Sequence, residues 1–132
     1  MSRLVIGLGF RDTATAPSIG EVLADVLARA GRPEATPLLA VVEDKAAHPG
    51  LLAVAETAGF PIEIVTADAM RAADTRIATR SDRVLRQHGV GSVCEATALA
   101  AAGLEARLIV TRQVSADRMA TAAAALLEGA AP

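Results

Sequence analysis

Two phenylalanines, with neither tryptophan nor tyrosine, are all the aromatic material in a 132-residue chain that carries 31 alanines. Any core this chain closes must therefore be built mainly from Val, Ile, Leu and Ala. The length suits one domain with a single core, expected over residues 1–132. With 52% hydrophobic residues and a formal charge of −2, the chain has too much apolar surface and too balanced a charge to stay disordered. No apolar run approaches the ~18–20 residues of a membrane span, and no charged-then-apolar leader opens the chain. The expected compartment is the cytoplasm.

Short apolar runs alternate with amphipathic ones. Arg3–Gly9 ends in glycines and reads as a buried first strand. After a polar loop, Phe10–Ala16, Pro17 and Ser18 open a helix, with Glu21 placed to close a capping box on Ser18. Ile19, Val22, Leu23, Val26 and Leu27 keep helical spacing until Gly31 stops it. Leu38–Val42 reads as the second strand, and His48–Ala58 as a helix with Leu51, Leu52 and Ala55 inward. Pro61–Val65 reads as a third strand, and Ala67–Ala73 has helical composition without a strong apolar stripe. Ser81–His88 predicts a short polar helix ended by Gly89. Ser92–Ala102 predicts another, with Ser92 as cap, Glu95 closing the box and Gly103 as terminator. Leu104–Thr111 holds a fourth strand. Met119–Leu127 reads two ways, because alanine favours helix by propensity while a buried strand of small residues also fits.

This alternation predicts a layered α/β domain. In such sheets ligands sit beyond the carboxyl ends of the strands, which singles out the loops Gly9–Ala16, Glu43–His48 and Thr111–Arg118. Several classes of chemistry are excluded or weakened. The single cysteine, Cys94, rules out an internal disulfide or a cysteine-based zinc cluster. Near-neutral charge and scarce rings argue against nucleic acid. His48 and His88 have no second ligand at helical spacing, so no metal site is expected. Gly7-Leu8-Gly9-Phe10-Arg11-Asp12 begins like a dinucleotide fingerprint, with Glu43 in the place of a ribose-binding acid. Asp12, however, stands where the third glycine should be and would repel a pyrophosphate. No cofactor is expected.

The remaining candidates are charges at strand ends. Arg11 follows two glycines, and its planar fork suits carboxylate or phosphate; alternatively it pairs with Asp12 or Asp25. Lys45 is the only lysine beside twelve arginines and sits in Glu43-Asp44-Lys45, able to bind an anion or simply to be solvated. Ser92 and Glu95 are accounted for by the capping box alone. Cys94 would need His88 as a base to act as a nucleophile.

Three segments taken together resemble the CobE and CbiG C-terminal-domain family of cobalamin biosynthesis. Gly7-Leu8-Gly9-Phe10-Arg11 followed by Ala14-Thr15 resembles its opening motif. Leu39–Ala58 resembles its second strand, acid-x-Lys loop and Pro-Gly-Leu-Leu helix. Gly89–Gly103 resembles its Gly-Val-x-Ser-Val-x-Glu-Ala helix, and Leu108–Arg112 the strand that follows. The resemblance implies a three-layer α/β/α sandwich with a mixed, roughly five-stranded sheet, and it reads Met119–Leu126 as the final strand. Gly7, Gly9, Arg11, Thr15, Lys45, Ser92 and Glu95 match its motifs. Asp12 and Thr13 depart from it, standing where the family often has a basic residue and glycine. Phe10 stands where some members carry Cys, which excludes thiol chemistry there.

In the fused form of the family, the activity implied is opening of the δ-lactone of cobalt-precorrin-5A. The present chain resembles the small free-standing members. The resemblance thus implies an accessory protein of corrin-ring synthesis that holds a precorrin or hydrogenobyrinic-acid-type tetrapyrrole. Arg11 and Lys45 would pair with its carboxylates, the Gly7–Gly9 turn would allow close backbone approach, and Ser92 and Glu95 would lie at the cleft edge. Two alternatives stand beside it. One is a lactone hydrolase with Glu95 or Glu43 as base and Lys45 facing the oxyanion. The other is a docking module for a pathway enzyme such as a precorrin methyltransferase.

Overall fold

The computed structural model describes residues 2–31 and 34–129, so both ends of the expected 1–132 domain lie outside the described residues. Ten regular elements follow one another. They are β1 (Ser2–Phe10), α1 (Ala16–Ala30), β2 (Leu38–Val42), α2 (Pro49–Ala58), β3 (Ile62–Val65), α3 (Ala67–Ala72), α4 (Asp82–His88), α5 (Val93–Ala102), β4 (Arg107–Val114) and β5 (Ala120–Glu128). The strands form one five-stranded sheet in the order β3-β2-β1-β5-β4. β1, β2 and β3 are parallel, whereas β5 runs antiparallel to both β1 and β4. Four strands therefore point the same way, and their carboxyl ends share one edge of the sheet.

Helices cover both faces. On one side α1 and α2 pack over Leu4, Ile6 and Leu8 of β1 and over Leu39 and Val41 of β2. On the other, α3 and α5 pack over Val5, Ala40 and Val42. This is the expected α/β/α sandwich with a mixed sheet. The alternation along β1, with even positions to one core and odd to the other, is what a strand covered on both faces requires.

The alanine-rich segment Ala120–Glu128 forms the second-central strand, against its intrinsic preference for helix. Ala122 to Ala125 are completely buried, paired with β1 on one side and β4 on the other. Alanine is short enough to let a helix lie close on each face, so tertiary burial overrides propensity here.

Local signals mark most boundaries correctly. Gly31, Gly59 and Gly89 end α1, α2 and α4 in the left-handed conformation that glycine adopts freely. Several local readings need correction, beginning with the start of α1. α1 begins at Ala16 with Thr15 as its cap, one turn ahead of the expected Ser18 cap; the Thr15 hydroxyl accepts the Ser18 N–H. Ser18 and Glu21 instead reach across to the β4–β5 loop. Leu52, expected inward, is 47% exposed, and Val54 takes the buried position. No helix among the described residues is long and apolar enough to cross a membrane.

Candidate functional site

The ends of β1, β2 and β4 and the helix α4 surround a cleft of about 570 Å³. The loop after β1 supplies Arg11 and Asp12, and the 3-10 turn Glu43–Lys45 after β2 supplies Lys45. Arg83 comes from α4, Arg112 from β4 and Arg118 from the β4–β5 hairpin. Five cations thus line the cleft against one carboxylate, Asp12. Phe10, Val84, Val93, Val114 and Met119 add apolar wall between them. That mixture of apolar wall and convergent cations suits a large organic anion. A second groove, between α1 and α2, is lined by residues such as Leu23, Leu27, Val54 and Phe60 and carries no charge.

Arg11 and Lys45 meet different surroundings. The Arg11 side chain is exposed and has no ion-pair or hydrogen-bond partner among the described residues; Asp25 pairs with Arg29 instead. Lys45 is only 16% exposed, lies 5.8 Å from the Phe10 ring centroid and donates to Asp12 at 2.5 Å. That hydrogen bond, then the ammonium's charge, holds the Asp12 carboxyl below its ordinary value. His48 ties the same two loops together. Its Nδ1 accepts from Gly50 N, so Nε2 carries the proton and donates to the Asp12 carbonyl at 2.8 Å. Its ring meets Phe10 edge-on at 4.8 Å.

The hairpin that presents Arg118 is clasped to α1. Ser18 Oγ donates to one Asp117 oxygen, and Ser115 Oγ donates to the other at 2.6 Å. Met119 N also donates to Asp117 at 3.1 Å, and Glu21 accepts Ala116 N at 2.9 Å. These donors, the Ser115 and Ser18 hydroxyls ahead of the Met119 amide, keep the Asp117 carboxyl below its ordinary 3.8. A carboxyl depressed in the folded state gives its full stabilisation above the unfolded value and loses it as pH falls through the folded one. Thermal melts of wild type and Asp117→Asn across the range below about pH 4 should therefore show a flatter acid limb for the variant. Superimposable acid limbs would show that the clasp is not held by the carboxylate.

Of the seven residues the resemblance marked as site candidates, only Arg11 and Lys45 line the cleft. Gly7 lies beneath α5, where a Cβ would collide with the Cys94 carbonyl. Gly9 is held by β5: its carbonyl accepts from Thr121 Oγ1 at 3.2 Å, and a Cβ would come within 2.8 Å of that hydroxyl. Thr15 caps α1.

Ser92 and Glu95, expected at the cleft edge, are both buried and line no part of it. Nor do they form a capping box, since the Ser92 side chain caps nothing and lies 3.6 Å from Cys94 Sγ. Glu95 instead accepts from Ala78 N, Thr79 N, Thr79 Oγ1 and Arg112 N, all at 2.8–2.9 Å. It fastens the segment leading into α4 to the strand that carries Arg112. Cys94 is fully buried, with its thiol pushed up by that burial, and does not share the cleft with His88.

Sequence reasoning missed Arg83, Arg112 and Arg118. Arg112 and Arg118 fall inside Thr111–Arg118, the stretch the strand-end rule marked as a loop; β4 in fact runs on through Val114, so Arg112 lies on the strand and Arg118 on the loop that follows it. Arg83 lies on a polar helix that no strand-end argument selects.

The sequence profile described as cobalamin synthesis G C-terminus matches residues 4–125. Protein CobE of Sinorhizobium sp is 37% identical over 123 residues, covering 92% of this chain and 79% of that protein. The crystal structure of CobE, a protein from the cobalamin (vitamin B12) biosynthetic pathway, superposes with a TM-score of 0.83 at 30% identity, covering 96% of this chain and 91% of the other. Cobalamin biosynthesis protein chiG from Agrobacterium tumefaciens str. C58 gives a TM-score of 0.66 at 33% identity, over 92% of this chain and 96% of the other.

Proposed function

The chain belongs to the cobalamin synthesis G C-terminus family and is a protein of cobalamin biosynthesis, and from that premise we propose that it binds a precorrin or hydrogenobyrinic-acid-type tetrapyrrole in the cleft at the sheet's carboxyl edge. Such an intermediate is a broad apolar macrocycle fringed with carboxylates. The observation that carries the reading is the cleft's charge: Arg11, Lys45, Arg83, Arg112 and Arg118 converge on it from five separate segments, with Asp12 as the single opposing carboxylate. Arginine forks pair with carboxylates two donors at a time, and Phe10, Val93 and Met119 offer apolar wall to the ring between those pairs.

A carrier or protective role follows more readily than hydrolysis. Lactone opening by Glu95 would need a base with a free acceptor position, yet Glu95 has four donors on its two oxygens. Glu43 accepts from Ala67 N and lies outside this cleft.

The test is a visible-absorbance titration with hydrogenobyrinic acid. A saturable spectral shift is expected, with an affinity that falls about tenfold or more as sodium chloride is raised to a few hundred millimolar, because the contacts are ionic and partly exposed. Absence of any shift with the folded protein would overturn the reading.

A further inference from the structure

Among the described residues, six have a positive φ, and at five of them the sequence places glycine. The sixth is Arg118, at φ 62°. The hairpin explains the demand: Arg118 N donates to Ser115 O at 2.9 Å, Ser115 N donates to Ala120 O at 2.9 Å, and the residue closing such a loop must turn left-handed. Glycine or asparagine meets that demand without strain, whereas an arginine carries a cost.

A residue stays in such a conformation only when its surroundings fix it from several sides. Here they do. Asp117 on one side takes the Ser18 and Ser115 hydroxyls. Met119 on the other donates to Ser115 Oγ at 3.1 Å, and its carbonyl accepts Arg11 N at 3.0 Å. Glu21 anchors Ala116 to α1 at 2.9 Å. All this order surrounds a side chain that gains nothing from the protein itself. The Arg118 guanidinium has no ion pair and no hydrogen bond with any described residue, and it lines the cleft.

We infer that Arg118 is a ligand-contacting residue, held in a strained backbone conformation by the Ser18–Asp117–Ser115 clasp so that its guanidinium takes a carboxylate of the bound molecule. This rests on the reading of the cleft as a polycarboxylate site and names a residue on which its affinity depends. The strain belongs to the free protein, and the carboxylate contact is made only with ligand present. Stability and binding should therefore move in opposite directions when the residue is changed.

The experiment compares wild type with Arg118→Gly, Arg118→Ala and Arg118→Lys, reading the melting temperature without ligand and the affinity for two probes. The probes are hydrogenobyrinic acid and benzenehexacarboxylate, a polycarboxylate without a macrocycle. Arg118→Gly is expected to melt higher by about 2–4 °C, since glycine relieves the left-handed strain. It should bind about tenfold more weakly, as expected on losing a charge-assisted pair. Arg118→Ala should weaken binding equally with no gain in melting temperature, and Arg118→Lys should fall between alanine and wild type in affinity.

Wild-type affinity retained in Arg118→Gly for both probes would overturn the inference while leaving the tetrapyrrole reading standing. If wild type binds benzenehexacarboxylate alone and Arg118→Gly loses it, the role of Arg118 holds and the tetrapyrrole reading falls. Binding of neither probe by wild type overturns both.

Discussion

Gly7→Ala is expected to cost at least about 3 kcal/mol of stability, at or above the top of the range for overpacking a core. A Cβ at this position would overlap the carbonyl oxygen of Cys94 and lie 2.7 Å from Ala98 N and 2.8 Å from Thr97 Oγ1. The first two are backbone atoms of α5, so no rotamer change can make room. The helix would have to lift away from β1, opening the interface that Ala96, Ala98, Ala101 and Ala102 build by being small. Gly31→Ala supplies the comparison. Gly31 is left-handed at the end of α1 with nothing within 4 Å of an added Cβ, so alanine there costs only about 1 kcal/mol of backbone strain. Urea unfolding of the two variants should place Gly7→Ala far below Gly31→Ala. Equal midpoints would contradict the close helix–sheet contact.

Glu95→Gln is the second substitution expected to act strongly. The carboxylate of this fully buried residue meets four donors, and a carboxylate offers about four acceptor positions. Glutamine keeps the shape but turns one oxygen into a donor. The Thr79 hydroxyl can rotate to accept from it, but the Arg112 N–H cannot, and would be left facing another donor. Roughly 2–4 kcal/mol should be lost, the range for leaving a buried group unpaired together with a charge-assisted bond.

The loss should also be local. Ala78, Thr79 and Arg112 amides are expected to exchange faster than in wild type, and affinity for the tetrapyrrole should drop although Glu95 never reaches the cleft. The reason is that one side chain fixes both the approach to α4, which carries Arg83, and the backbone of Arg112. Unchanged exchange at those three amides would remove Glu95 from its proposed place as an organiser of the cleft walls.

Much of the architecture is legible in the sequence because its signals are local. Leu38–Val42 is an uninterrupted apolar run of strand length, and α1, α2 and α4 are each closed by a glycine in the left-handed region. β5 is not legible in this way. Its alanines carry no period, and only the position between β1 and β4 decides their conformation, so the resemblance rather than propensity identified the strand. The Ser92-x-x-Glu95 spacing shows the opposite failure. It matches a capping box, yet the carboxylate's donors lie 16 and 17 residues away, in partners that no local pattern reveals.

The site divides along the same line. Arg11 and Lys45 could be named because they directly follow strands, where α/β sheets place ligands. Arg83, Arg112 and Arg118 were hidden by the chain's twelve arginines, which make any single one unremarkable in sequence. Only the fold gathers three of them with Arg11 and Lys45 around one opening. Asp12, read in sequence as an obstacle to anion binding, proves to be the partner of Lys45, so its charge is answered within the protein.

The central claim is that this cationic edge, and no other surface, takes the tetrapyrrole. The most direct measurement is the absorbance titration with hydrogenobyrinic acid carried out on wild type, on Arg83→Ala/Arg112→Ala and on Arg29→Ala, whose arginine pairs with Asp25 on α1 away from the cleft. The account predicts a saturable shift for wild type and Arg29→Ala with equal affinity, and a loss of at least about tenfold for the double variant. Equal affinity in all three would contradict it, whatever the strength of binding.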